Sequence, residues 1–172
     1  SSDVCSSDLV MMNEPSDLLV PTILSAFSKE GKKVAVVTAK DKLRKMLSKD
    51  LSGICFSAEF ADKANKEENG IENVTTSLME TEQPGIYDPD ISVYVIEAGV
   101  RLLKRENFDL LYLTTTDYVQ HKYPPGAPEA NNFLSKIDYW LGELDKQGAI
   151  IGVTADHGMQ GKTNPDGSPK VL

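Results

Sequence analysis

The chain holds two histidines, and each has an aspartate at a spacing that suits a shared cation: Asp117 lies four residues before His121, and Asp156 directly precedes His157. Residues four apart on a helical turn lie on one face, so Asp117 and His121 can offer a carboxylate oxygen and an imidazole nitrogen to one metal ion. Asp156 and His157 cannot share a helix face, but a sharp turn can bend both toward one ion, and Gly158 would ease the backbone there. Oxygen and imidazole donors without thiolate suit Zn²⁺, Mn²⁺ or Fe²⁺ in a catalytic rather than a structural site. A helix cap or a closed turn is the plainer use of either pair alone. Two such pairs, each just past an apolar strand, favour the metal. Lys40 and Lys42 flank a predicted helix start, where a cation opposes the helix dipole. A solvated helix start is the plainer reading of these lysines, and a bound phosphate or carboxylate is the functional one.

A catalytic metal usually takes three protein ligands, and each pair supplies two. Both histidines being used, the carboxylates left to share are Asp41, Asp62, Asp88, Asp90 and Asp166, none at a convincing position. The chain therefore reads as incomplete, ending at Lys170-Val171-Leu172 just after a Gly/Pro-rich loop.

The elements that must position these residues follow from hydrophobic period. Leu19, Ile23, Leu24 and Phe27 predict a helix behind a Ser16-Asp17 cap with a stop at Gly31. Residues 33–39 form a β-branched run of the kind buried on both faces of a parallel sheet. Residues 41–49 read as a helix, 53–56 as a short strand, 58–70 as a charged surface helix and loop, and 80–90 as an irregular connection. A helix at 91–105 leads into a buried strand at 109–114, and a helix at about 129–147 leads into another strand at 149–154. Alternating helices and apolar strands predict an α/β fold, a three-layer α/β/α arrangement on a mostly parallel sheet. Ligands of such sheets bind beyond the carboxyl ends of the strands, which is where both Asp-His pairs and the two lysines fall.

Composition narrows the classes of function. The 172 residues are one domain's worth of chain, with 40% apolar and 26% charged residues, inside the globular range. A net charge of −8 works against phosphate-backbone attraction, so no nucleic-acid partner is expected. Two cysteines, Cys5 and Cys55, have neither zinc-knuckle nor redox spacing, and no stretch has a membrane helix's length. A soluble, cytoplasmic protein without a membrane partner is expected, and a homodimer is left open. Residues 1–9, with a near-repeated Ser-Ser-Asp, read as a foreign tail.

Several stretches resemble the phosphonoacetate hydrolase family of the alkaline phosphatase superfamily, whose members are dinuclear zinc enzymes. They are Val10-Met11-Met12-Asn13, Pro21-Thr22-Ile23-Leu24, VAVVTAKDKLR from Val34, GICFSAE from Gly53, TTDYVQHK from Thr115 and TADHGM from Thr154. Asp-His-Gly after a strand is widespread in the superfamily, whereas the stretches around Lys40 and Asp117 are narrower. The resemblance implies an alkaline-phosphatase-like fold and two Zn²⁺ ions, one held by Asp117 and His121 and the other by Asp156 and His157. It also implies that Lys40 and Lys42 hold a small anionic phosphonate substrate, and that the reaction is hydrolysis of its carbon–phosphorus bond to acetate and phosphate. The family's early Asp ligand, nucleophilic threonine and late His ligand have no counterpart here. Thr114, Thr115, Thr116 and Thr154 do not match that threonine's place, so no catalytic nucleophile is identified and it is expected outside the chain. Residues 10–172 thus read as an internal segment of one catalytic domain, itself inactive. A phosphate mono- or diester hydrolase of the same superfamily and a non-catalytic metal-binding fragment are the alternatives.

Overall fold

Val34–Thr38 (β1) is buried at all five positions, the condition of a strand covered on both faces. The computed structural model describes residues 14–161, 163–164 and 166–170, so the expected foreign tail and the stretch from Val10 to Asn13 lie outside the described residues. β1 pairs in parallel with Ile54–Ser57 (β2) on one side and with Leu110–Thr114 (β3) on the other, in the order β2-β1-β3. Helices alternate with these strands: Ile23–Lys29 (α1), Asp41–Leu47 (α2), Lys66–Asn69 (α3), Ile91–Arg105 (α4), Tyr118–Lys122 (α5) and Pro128–Lys146 (α6).

The two-residue period of β1 divides the core. Ala35 and Val37 face the side where Phe56, the α4 stripe of Val95, Ala98 and Leu102, and Leu144 of α6 pack. Val34 and Val36 face the other side, against Cys55, Leu24 of α1 and Leu47 of α2. Helices cover both faces, which is the expected three-layer α/β/α arrangement. Each fully buried Val, Leu or Phe side chain among these contributes roughly 1.5–3 kcal/mol. Gly99 lets α4 approach β3, since a Cβ there would lie 2.6 Å from Leu113 Cδ1. Lys104 and Arg105 in the last turn of α4 complement its dipole. Among the described residues no helix is long and apolar enough to cross a membrane.

Four expectations need correction. The first helix does not begin behind Ser16-Asp17. Pro15–Asp17 form a separate 3₁₀ turn, and Pro21 biases the residue before it toward extended backbone, so α1 starts after Thr22, whose hydroxyl accepts from the Ser25 N–H. Leu19 is consequently exposed rather than part of an inner stripe. Residues 58–70 are not merely surface: Ala58, Ala61, Ala64 and Asn69 are buried, and Asn69 Nδ2 donates to the Cys55 carbonyl at 2.8 Å. β3, an edge strand among the described residues, is only half-buried, with Tyr112 exposed, whereas β2 at the other edge is buried at three of its four positions. The fourth correction matters most for the site: residues 149–154 form no ladder. The Ala149 N–H donates to Leu144 O at 3.2 Å, after which Ile150 and Val153 are exposed. A β-branched run becomes a strand only where a partner strand meets it, and no described residue pairs there.

Candidate active site

The parallel register brings the strand ends to one level. Thr38 is opposite both Ser57 and Thr114, so the residues that follow β1, β2 and β3 leave the sheet along one rim. Backbone hydrogen bonds continue the pairing one step further: Ala39 N–H donates to Thr114 O at 2.9 Å, and Ala58 N–H to Thr38 O at 2.7 Å. Lys40 and Lys42 are exposed at this rim, Lys40 as the residue that starts α2.

α2 starts without a cap from its own first residue, since Lys40 makes no side-chain cap bond. Its support comes instead from β2 and the residues just beyond it. Glu59 Oε2 accepts from the Asp41 N–H at 2.8 Å. Asp41 Oδ1 accepts from Ser57 Oγ at 2.9 Å and from Arg44 Nε at 2.5 Å. Thr38 Oγ1 donates to Lys40 O at 2.9 Å. Acidic Asp41 in the first turn and the Glu59 carboxylate together offset the unfavourable placing of two lysines at a helix start. Neither Ser57 nor Glu59 stands out in the sequence as a site residue, although both lie in the stretch from Gly53 to Glu59; a buried serine on a strand and a glutamate after it carry no periodic signal.

At the end of β3 the chain turns into α5, and Asp117 is the residue before its first turn. His121 Nε2 lies 2.7 Å from Asp117 Oδ2, with both side chains about half exposed. The spacing of four has placed an oxygen and a nitrogen donor on one helical turn, in direct contact with each other. Val119 anchors that turn, buried in a cluster with Val93 of α4 and Phe133 of α6. Tyr118 meets Tyr87 of the connection before α4, ring centroids 6.0 Å apart.

Asp156 and His157 follow the unpaired segment and are far more exposed, with the Asp156 side chain 91% accessible. Asp156 Oδ1 accepts from the His157 N–H at 3.1 Å and lies 3.9 Å from His157 Nε2. His157 Nδ1 is 3.0 Å from the Gly158 carbonyl. That carbonyl, then the Asp156 charge, and further off the Asp117 charge, raise the His157 pKa above its ordinary 6.5. Beyond His157 the chain returns past α5, where a Cβ on Gly161 would be 3.6 Å from Pro124 Cβ. Gly158 has open space around it and no positive φ, so the bend at His157 does not require a glycine.

The donor chemistry of each pair fits half of a divalent-metal site. Among the described residues no group of three His, Cys, Asp or Glu side chains is arranged to complete one. The carboxylates considered for sharing are engaged elsewhere: Asp62 accepts from Gln83 Nε2, Asp88 from the Asp90 N–H, Asp90 from Lys136 Nζ, and Asp166 from Ser168. Asp41 is taken up by Ser57 and Arg44.

The model of the type I phosphodiesterase / nucleotide pyrophosphatase family matches residues 17–167. Two solved structures are similar to this chain. One is phosphonoacetate hydrolase from Sinorhizobium meliloti 1021 in complex with phosphonoformate, at 52% identity and a TM-score of 0.89, covering 95% of this chain and 40% of that one. The other is the same hydrolase in complex with phosphonoacetate, at 52% identity and a TM-score of 0.88, with the same two coverages. The chain spans 40% of the length of the solved hydrolase.

Proposed function

Because the chain belongs to the type I phosphodiesterase / nucleotide pyrophosphatase family and has an alkaline-phosphatase-like fold, we propose that it is part of a metal-dependent hydrolase that cleaves the carbon–phosphorus bond of phosphonoacetate. The observation that carries this reading is the similarity over 95% of the chain, at 52% identity, to a hydrolase solved with phosphonoacetate. The siting of Lys40, Lys42, Asp117 and His121 beyond the ends of adjacent strands supports it. In this reading residues 10–172 are a segment of one catalytic domain, incomplete and inactive by itself, and residues 1–9 are foreign to it. Cytoplasmic residence belongs to the same reading, with Cys55 as a free, buried thiol of the kind a reducing compartment maintains.

The reaction consumes one water. A new phosphorus–oxygen bond forms, the carbon–phosphorus bond breaks, its electron pair goes to carbon, and a proton taken up there completes acetate beside inorganic phosphate. The difficult feature is the carbanion-like leaving group. Asp117 with His121, and Asp156 with His157, would each hold one divalent ion, zinc in this reading, with Mn²⁺ or Fe²⁺ as the alternatives. Such ions supply Lewis-acid stabilisation of charge on phosphonate oxygens. Lys40 and Lys42 bring positive charge to one edge of a protein whose net charge is −8, drawing in a small dianion that the molecule as a whole repels. Placed on the carboxylate side of the substrate, they also offset the enolate-like charge that grows on the acetate as the bond breaks. Glu59, Asp41 and Ser57 hold the turn from which the lysines project.

Phosphate release from phosphonoacetate, a phosphate monoester and a phosphate diester, measured on a protein of the solved hydrolase's length, tests the reading. Phosphonoacetate is expected to dominate and chelation to abolish the rate. The family description itself favours a second reading, phosphate diester hydrolysis, and preference for the diester would establish that one instead.

A further inference from the structure

Ser92 lies in the first turn of α4, 1% exposed, outside both Asp-His pairs and the lysine-bearing turn. Its Oγ donates to the Thr116 carbonyl at 3.2 Å and accepts from the Thr116 N–H at 3.1 Å. Thr116 is itself buried, two residues past the end of β3, where the chain has left the ladder. A buried peptide group without a partner is destabilising, and a single hydroxyl here satisfies two. These two groups belong to the peptide planes on either side of Thr116, and the second plane is the Thr116–Asp117 peptide. Holding it sets the backbone from which the Asp117 side chain leaves, at φ −87° and ψ 16°. Ser92 is in turn held by its own helix, because Ile91 and Val95 on either side are wholly buried in the core.

We propose that Ser92 is the positioning residue for Asp117, transferring the rigidity of α4 to the carboxylate. The inference rests on the reading of Asp117 and His121 as holders of a divalent ion. A hydroxyl is suited to the task because it is donor and acceptor at once, and α4 brings it to a peptide 24 residues away in sequence.

The test is zinc affinity by chelator competition on a protein of the solved hydrolase's length, for the unchanged protein, Asp117→Ala, Ser92→Ala and Ser92→Cys. Asp117→Ala identifies which of the two affinities belongs to its site. Ser92→Ala is expected to weaken that affinity about 10-fold or more and the other by less than about twofold, as loss of an outer support does. Ser92→Cys, which keeps a weak donor and acceptor, is expected to fall between. Equal weakening at both sites, or an unchanged affinity at the Asp117 site, overturns the proposal. Should Ser92→Ala not fold, the Ser92→Cys comparison decides by the same criterion. An Asp117→Ala protein with both affinities intact overturns the metal reading and the positioning role with it, whereas failure of the serine variants alone leaves the metal reading standing.

Discussion

Replacing Glu59 with alanine removes the acceptor of the Asp41 N–H, at 2.8 Å, and with it the side-chain cap of the first turn of α2. Lys40 supplies no cap of its own, so nothing in that turn takes over the bond. Loss of a helix cap costs about 1 kcal/mol, with a range of roughly 0.5–2. In a protein of the solved hydrolase's length, of which this chain spans 40%, that lowers the melting temperature by roughly 1–2 °C, since the shift per kcal/mol shrinks as the unfolding entropy grows with size. The same free energy bounds the functional effect. If the capped turn is the arrangement in which Lys40 and Lys42 meet the substrate, its destabilisation by about 1 kcal/mol lowers kcat/KM for phosphonoacetate by about fivefold. Glu59→Gln keeps a carbonyl oxygen at the same reach and is expected to retain most of the activity. Thermal unfolding and steady-state phosphate release on a protein of the solved hydrolase's length measure both effects. Full activity in Glu59→Ala, or an equal loss in Glu59→Gln and Glu59→Ala, refutes the link between cap and lysines.

Three further outcomes are expected. In a protein of the solved hydrolase's length, Lys42→Ala should lower kcat as well as raise KM for phosphonoacetate, because in the proposed reaction the charge it would offset grows as the bond breaks, and a change in KM alone contradicts that role. His157, raised by the Gly158 carbonyl and the Asp156 charge, should titrate above 6.5 in the metal-free protein. Its contribution to folding is then present below 6.5 and lost as pH rises through the higher folded-state value, while metal binding, which needs the neutral ring, weakens as pH falls through it. Proton NMR of the imidazole follows the midpoint, Asp156→Asn should lower it, and a midpoint at or below 6.5 refutes the assignment. Cys55, 2% exposed, has its thiol pushed up to about 12 by burial, so in a Cys5→Ser background it should resist iodoacetamide at neutral pH until the protein is unfolded. Rapid labelling of the native protein would contradict its place in the core.

How much of the site can be read from the chain follows from the range of the interactions involved. The Asp117–His121 pair is legible because both partners lie on one turn, and helical periodicity alone brings residues four apart together. The supports of the site are not legible in the same way. Ser57 and Glu59 reach Asp41 across 16 and 18 residues, and Ser92 reaches Thr116 across 24, so no local pattern marks them. Residues 149–154 show the converse. Their composition is that of a strand, but a ladder is a property of two segments, and the described residues supply no second one.

By itself the sequence determines the alternation of helix and strand from β1 to α6, the burial of β1, the donor types at the two Asp-His pairs and the lysines ahead of α2, because each depends on side-chain chemistry within a few residues. The tertiary structure decides the order β2-β1-β3, the common level of the strand ends, the return of the chain from His157 toward Pro124, and the buried hydroxyl behind Asp117. Those features depend on which surfaces meet across the sheet, and packing between distant segments resolves them.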